Sequence, residues 1–366
     1  MKRRDFLKVA ASMPVTGSVG TLAGVGSAQA ATPWENGTEW KKFEITTRVD
    51  LAAQKGASRV WLPMPLSVDT DYFQTLGNSW TGNAQNMRVF HDAAQGTKMF
   101  YAEWSDTTAP ATLELTSGFL MRDRAVDLSK PGKAQPLSAH DTKEYLKATA
   151  FIPTDGIVRK TALEITKGAK SDVDKAHAIH EWIVMNCARD GKVRGCGLGD
   201  IKVLLETGNL SGKCADLNAL FVGLARSVGI PARDVFGARV APSQWGYRSM
   251  SAADNVTRAQ HCRAEFYAAS HGWVPVDPAD VRKVMLEEPP GNLSMTDPKV
   301  KLAREKLFGA WEMNWVAFNY SHDVKLPGSA GAAVPFFMYP TAEINGQRKD
   351  SLDPDSFKYT ITSRKA

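Results

Sequence analysis

Residues 212–233 read GKCADLNALFVGLARSVGIPAR. Apolar residues recur here at helical spacing, and Gly229 followed by Pro231 supplies a stop, so the pattern predicts an amphipathic, core-facing helix that begins near Cys214. The unpaired N–H groups and the positive end of the helix dipole would then surround the cysteine sulfur, which favours a thiolate over a thiol. Gly212 has no side chain and is predicted to let a substrate approach that sulfur.

A lone cysteine on a helix is more often a small buried hydrophobe than a nucleophile, so catalysis needs further residues. A nucleophilic cysteine requires a base and a group that orients the base. Residues 260–277 read as two strands around a turn, and a hairpin centred on residue 269 places His261 opposite Asp277. Such a carboxylate would favour imidazolium. Pro275 leaves this register uncertain by one residue, and Asp280 is the alternative carboxylate.

Three separated blocks of sequence, the Cys214 helix, His261 and the segment 272–278, together resemble the transglutaminase-like superfamily over roughly residues 170–280. The resemblance implies a papain-like core with a Cys-His-Asp triad, in which Cys214 is the nucleophile, His261 the base and Asp277 the orienting carboxylate. It implies an α+β fold in which this catalytic core follows an antiparallel β-sandwich, since the all-β segment before it resembles the sandwich that often precedes such bacterial domains.

Two features of the superfamily do not transfer to this sequence. Animal transglutaminases use an upstream tryptophan as an oxyanion donor, but no tryptophan lies between Trp182 and Cys214. The Cys214 N–H is one candidate donor, and the second is unassigned. Animal transglutaminases also use calcium, whereas no acidic loop like an EF-hand occurs here, so we expect no metal and no cofactor. His177 and His180 have ligand spacing, but a solvated or half-buried helix face is the preferred interpretation.

Residues 1–30 have the layout of a cleavable export signal, with a basic start, a short apolar stretch and Ala-Gln-Ala at the end. The paired Arg3 and Arg4 resemble the twin-arginine type, so the export machinery is a predicted partner and the periplasm the predicted location. The alternative is an uncleaved membrane anchor, which the glycines disfavour. Cleavage after Ala30 removes four positive charges and one negative from a net +6 and leaves +3, without the basic runs typical of nucleic-acid binding.

Hydrophobic periodicity divides the remaining chain into two domains. Alternation with period two over residues 38–128 predicts a β-sandwich, residues 129–140 read as a linker, and residues 141–366 are predicted to form the catalytic domain with a C-terminal strand extension. Within that domain we expect a helix from Ser171 or Asp172, a short helix over 200–207, and strands at 232–240, 260–277 and 357–361.

The four cysteines are Cys187, Cys196, Cys214 and Cys262. If Cys214 is a free thiol, at most one disulfide can form, and Cys187 with Cys196 closes the shortest loop, although spacing does not fix connectivity. The resulting hypothesis is an enzyme that attacks amide bonds through a thioester, as a hydrolase or an acyltransferase, on a peptide-like periplasmic substrate. The alternative is a periplasmic binding or assembly module that keeps the fold without turnover.

Overall fold

The computed structural model describes residues 37–53, 55–92, 96–106 and 109–366. The predicted export signal, residues 1–30, lies outside the described residues. None of the helices found in these ranges is both long enough and apolar enough to cross a membrane. From Gly37 onward the described chain belongs to one compact unit.

The first part of this unit consists of β-strands. In one of them, residues 111–121, every second side chain is buried, which is the alternation that the sequence predicts for a strand between a core and solvent. The seven strands are β1 (Lys41–Leu51), β2 (Ser58–Pro63), β3 (Phe73–Gly82), β4 (Asn86–His91), β5 (Lys98–Trp104), β6 (Ala111–Met121) and β7 (Arg124–Ala125).

Helices follow, as the change of periodicity predicts. Ser171 caps the longest helix by accepting from the N–H of Asp174, while the Asp174 carboxylate accepts from the N–H of Ser171. The elements in this region are α1 (Ala139–Glu144), α2 (Gly156–Ile165), α3 (Asp172–Asn186), β8 (Ala188–Arg189), α4 (Ile201–Thr207), β9 (Ser211–Gly212), α5 (Cys214–Ser227), β10 (Ala232–Arg239), β11 (Gln260–Ala268), β12 (Gly272–Val276), α6 (Pro278–Glu287) and α7 (Pro298–Lys306).

The last part of the chain returns to strands and completes sheets that begin earlier. These strands are β13 (Ala310–Trp311), β14 (Trp315–Asn319), β15 (His322–Val324), β16 (Val334–Phe336), β17 (Thr341–Ile344), β18 (Gln347–Arg348) and β19 (Tyr359–Lys365). The three large sheets have the orders β19-β1-β6-β3, β18-β17-β2-β5-β4 and β12-β11-β10-β14. The α+β class is confirmed, and the domain limits at 128 and 140 stay a prediction.

Helix α5 is the centre of the core. All its residues from Cys214 to Ser227 are buried, so it is enclosed on every side rather than amphipathic, because α2, α3 and α4 cover the face that the sheet does not. Gly223 allows the close approach of α4, since a Cβ there would lie 2.1 Å from the Ile201 Cδ1. The polar residues of α5 are therefore buried too, and each needs a partner inside the protein.

Candidate active site

Cys214 is the first residue of α5, and its side chain is buried beside a cavity of about 670 Å³. Its backbone N–H lies in the first helical turn, where no preceding turn can accept it. His261 lies on the wall of the same cavity. The structure thus brings the predicted nucleophile and the predicted base to one cavity.

His261 and Asp277 are in contact, although the hairpin register differs from the predicted one. Ala268 pairs with Gly272 and Ala264 with Val276, so the hairpin is centred on residue 270 and the predicted cross-strand pairing of His261 with Asp277 was wrong. The contact forms because Asp277 leaves the strand and becomes the N-cap of α6, with φ −153° and ψ 73°. The His261 Nε2 then lies 2.7 Å from the Asp277 Oδ2.

Three groups besides His261 hold the Asp277 carboxylate. Its Oδ1 accepts from the Asn218 Nδ2 at 3.2 Å and from the Asp280 N–H at 3.0 Å, and the Arg263 Nε lies 3.6 Å from its Oδ2. Asn218 is four residues after Cys214 and therefore lies on the same helix face. Helix α5 thus positions both the thiol and the amide that orients Asp277.

Asp280, the alternative carboxylate, is engaged elsewhere. Both its oxygens accept from the Arg239 Nη2 at 2.6 Å, whereas its Oδ2 is 3.4 Å from the His261 Nε2. Burial alone would raise its pKa, but Arg239 and His261 hold the pKa of Asp280 well below its usual range. Asp277 is therefore the carboxylate that bonds the imidazole, and Asp280 adds a second negative charge nearby.

These charges set the protonation of His261. Burial lowers its pKa, but Asp280 and Asp277 raise it by more than burial and Arg239 lower it, so the net pKa lies above the usual value. Ligand atoms of His261, Asp277 and Asp280 lie within 4.8 Å of one another, as in a metal site. Arg239 and Arg263 already neutralise the two carboxylates, so the donor set fits protein cations better than a metal ion.

Two further thiols lie beside Cys214, which the sequence did not reveal. Hydrogen bonds with Cys214 and Cys262 lower the pKa of Cys196, while burial raises the pKa of Cys262. The Cys196 Sγ lies 3.3 Å from the Gln260 carbonyl oxygen, and the Cys196 carbonyl accepts from the Ala215 N–H at 2.9 Å. All four cysteines are free, so the possible bridge between Cys187 and Cys196 is not formed.

Asp216 holds the loop at Leu198 and Gly199 against the start of α5. Its carboxylate accepts from the N–H groups of Leu198, Gly199 and Lys213 at 3.0, 2.9 and 2.9 Å. A Cβ at Gly212 would lie 2.5 Å from the Asp216 Cβ. Gly212 therefore makes room for Asp216, which is a different reason from the predicted substrate access.

His177 and His180 are not a pair on the surface. His177 is exposed, but His180 is fully buried against Phe308, so the half-buried interpretation was wrong for His180. Burial lowers the pKa of His180 to about 3, and it is neutral at pH 7. Helix α3 packs against α2, α5 and α6, which buries more of its surface than its sequence pattern indicates.

Comparisons with known proteins identify the family of the chain. The family model for the transglutaminase-like superfamily matches residues 159–278. An uncharacterized protein of Haemophilus influenzae (strain Rd) is 38% identical over 369 residues, covering 95% of this chain and 98% of that protein. A crystal structure of a "putative cysteine protease" from Cytophaga hutchinsonii has a similar fold, with a TM-score of 0.53 at 14% identity over 89% of this chain and 99% of that one. The chain belongs to the transglutaminase-like superfamily.

Proposed function

We propose that the protein is a cysteine enzyme that attacks amide bonds with Cys214, using His261 as base and Asp277 as the orienting carboxylate. The observation that carries this proposal is the 2.7 Å contact between the His261 Nε2 and the Asp277 Oδ2, with His261 and Cys214 on the wall of one cavity. A buried imidazole fixed by a carboxylate next to a thiol at a helix N-terminus has the parts that nucleophilic catalysis needs.

The proposed mechanism follows from which nitrogen of the His261 ring is bonded to Asp277. Because Nε2 is bonded to Asp277, Nδ1 is the nitrogen left to take the Cys214 proton. The thiolate adds to the amide carbonyl carbon, and the Cys214 N–H stabilises the oxyanion. His261 then gives its proton to the departing amine as the C–N bond breaks, which leaves a thioester on Cys214.

The thioester is resolved by the acceptor that enters the cavity. Water, giving a proton to His261, releases an acid, whereas an amine forms a new amide bond. We propose hydrolysis of a peptide-like substrate in the periplasm, which the export-type residues 1–30 support. The cavity volume of about 670 Å³ falls in the range that holds a few peptide residues.

Site-resolved alkylation tests the thiolate–imidazolium pair. Labelling by iodoacetamide would be followed by mass spectrometry from pH 5 to 9, in wild type and in His261→Ala. We expect Cys214 to label fast at pH 5.5 in wild type and roughly tenfold or more slowly in the variant, because the imidazolium no longer stabilises the thiolate.

Cys187 is the internal control, because burial raises the pKa of Cys187 to about 12 and it should label slowly throughout. Equally slow labelling of Cys214 and Cys187 in wild type would contradict the proposed function. It would favour the non-catalytic binding module, whose affinity for a partner would survive Cys214→Ala.

A further inference from the structure

The wall of the Cys214 cavity is strongly basic. Among the described residues that line it, six carry a permanent or usual positive charge and none is an aspartate or glutamate. The six are Arg189, Arg194, Lys213, Arg239, Arg258 and Lys283. Such an excess is not expected from the chain as a whole, which has 45 basic and 39 acidic residues. The positive charge is therefore concentrated where the proposed chemistry takes place.

From this charge distribution we infer that the substrate is an acidic peptide, with carboxylates close to the amide that Cys214 attacks. The inference rests on the proposed function, since it names the substrate class of that same site. A cavity lined by one sign of charge raises the local concentration of the opposite sign and favours its binding.

Carboxylates that do not line the cavity neutralise only part of the positive charge of its wall. Asp280 bonds Arg239, Glu287 contacts both Arg189 and Lys283, and Asp350 pairs with Arg194. None of these three acids is among the residues that line the cavity. Three carboxylates thus pair with four of the six cations, and a protonated His261 is balanced by Asp277, so the wall stays net positive.

Two of the six cations have no carboxylate within salt-bridge distance in the part of the chain that the structure describes. They are Lys213, directly before Cys214, and Arg258, which is exposed, three residues before His261. A substrate carboxylate can reach them without displacing an internal partner. Such charge-assisted hydrogen bonds are among the stronger polar contacts in proteins.

Lys283 is repelled by a neighbouring cation of the wall in addition to being buried. Lys283 contacts Glu287 at 3.8 Å, yet burial and the neighbouring Arg239 lower its pKa. An anion bound in the cavity would relieve this repulsion. The positive end of the α5 dipole points to the same place and adds to the attraction.

The chemistry of the site selects a peptide over other polyanions. Cys214 would attack an acyl carbon, and a nucleic-acid backbone has no amide bond to offer. The remaining lining includes Leu352, Phe357 and Tyr359, which suit the apolar parts of amino-acid side chains. Carboxylates within the peptide then supply the negative charge.

Two alkylating reagents of similar size and different charge test the inference on the intact protein. Iodoacetate is an anion and iodoacetamide is neutral, so the ratio of their rates at Cys214 reports the potential in the cavity. The reference is the same ratio for N-acetylcysteine amide in solution. Summed Coulomb attraction from three uncompensated charges predicts a ratio about tenfold above the reference at low salt.

A matched pair of double variants locates the effect. Lys213→Gln with Arg258→Gln should lower the ratio about threefold or more, because two uncompensated charges are lost. Lys160→Gln with Lys301→Gln removes two exposed charges that do not line the cavity and should leave the ratio unchanged. A wild-type ratio equal to the reference, or an equal fall in both double variants, would overturn the inference while leaving the proposed function intact.

A different outcome of the same experiment shows whether the proposed function itself fails. If Cys214 reacts with neither reagent, the proposed function fails, and calorimetry on the Cys214→Ala protein decides the inference. The peptide Gly-Glu-Gln-Glu-Gly should bind about tenfold more tightly than Gly-Gln-Gln-Gln-Gly. Equal affinity of the two peptides would overturn the acidic-substrate inference.

Discussion

Strand β11 carries two buried ionic clusters only four residues apart. One cluster lies beside the cavity, and the other is enclosed by aromatic rings. His261, with Asp277, lies on the wall of the cavity. Glu265 on the same strand is fully buried between two guanidinium groups, at 3.2 Å from Arg124 and 3.4 Å from Arg233. Alternation along a strand places residues 261, 263 and 265 on one face, so the two clusters share a side of the sheet.

Aromatic rings close the Glu265 cluster. The Arg233 guanidinium lies 3.9 Å from the centroid of Trp273 and 3.7 Å from that of Tyr320, and Arg124 lies 4.5 Å from the centroid of Tyr72. These contacts supply cation–π stabilisation to side chains that are only 7% exposed for Arg124 and 12% exposed for Arg233. The comparison shows that paired charges on one strand can be enclosed by aromatic rings or lie beside a cavity, and our proposed function assigns chemistry only to the pair beside the cavity.

The largest effect is expected for Asp277→Asn, in the cluster of His261 and Asp277 beside the cavity. The asparagine can still cap α6, but it cannot stabilise an imidazolium, so turnover or Cys214 acylation should fall on the order of 10³-fold or more. Denaturant unfolding should also show a loss of stability, because the buried Arg263 guanidinium loses a nearby counter-charge.

The matched variant for this prediction is Asp280→Asn, which leaves the His261 contact to Asp277 in place but deprives Arg239 of its partner. It should mainly lower stability. Equal losses of acylation in Asp277→Asn and Asp280→Asn would show that the two carboxylates share the orienting role.

Glu265→Gln removes the negative charge from the cluster of Glu265, Arg124 and Arg233. It leaves Arg124 and Arg233 buried without a counter-charge, and we expect the free energy of unfolding to fall by about 3–5 kcal/mol. Urea unfolding monitored by tryptophan fluorescence measures this. The control is Glu103→Gln at the partly exposed pair with Arg59, where a loss of about 1 kcal/mol or less is expected. A similar small loss for both would mean that the rings, not Glu265, stabilise the two arginines.

His180 extends the comparison, because it is a buried histidine whose ring nitrogens make no hydrogen bond, although the Glu181 Oε1 lies 3.4 Å from its Nδ1. Its folded pKa of about 3 lies below the unfolded value near 6.5. The unfolded chain therefore binds more protons below pH 6.5, and stability falls as the pH drops from 6.5 towards 3.

His180→Leu should remove this component, which amounts to about 2 kcal/mol between pH 7.5 and pH 5. The measurement is urea unfolding of wild type and variant at both pH values. An identical pH dependence in the two proteins would show that the pKa of His180 is the same in the folded and unfolded states.

The sequence indicated the parts of the site that depend on local pattern. The helix beginning at Cys214 has an apolar repeat with a Gly and Pro stop, and the fold class followed from periodicity and from the resemblance of three blocks. The helix signal is carried by neighbouring residues, and the observed helix α5, which begins at Cys214, confirms it.

What remained hidden depends on contacts between residues distant in the chain. Asn218, Arg239 and Arg263 hold the two carboxylates, yet each reads as an ordinary polar residue of a helix or strand. Asn218 had the one available signal, a polar amide one turn after the cysteine in an apolar helix. The hairpin register was also not predicted, because the turn is centred on residue 270 and the contact of His261 with Asp277 forms only when Asp277 leaves its strand to cap α6.

The pairing of β1 with β19 has a consequence for synthesis. Glu44 lies beside Arg364, 320 residues further along the chain. At the usual rate of translation, β1 waits roughly 15 to 60 s for this partner after leaving the ribosome. During that time one side of β1 is an open edge, which can pair with other nascent chains. Premature termination shortly before Tyr359 would make that exposure permanent, so prematurely terminated chains should depend on chaperones and aggregate more readily than the full-length protein.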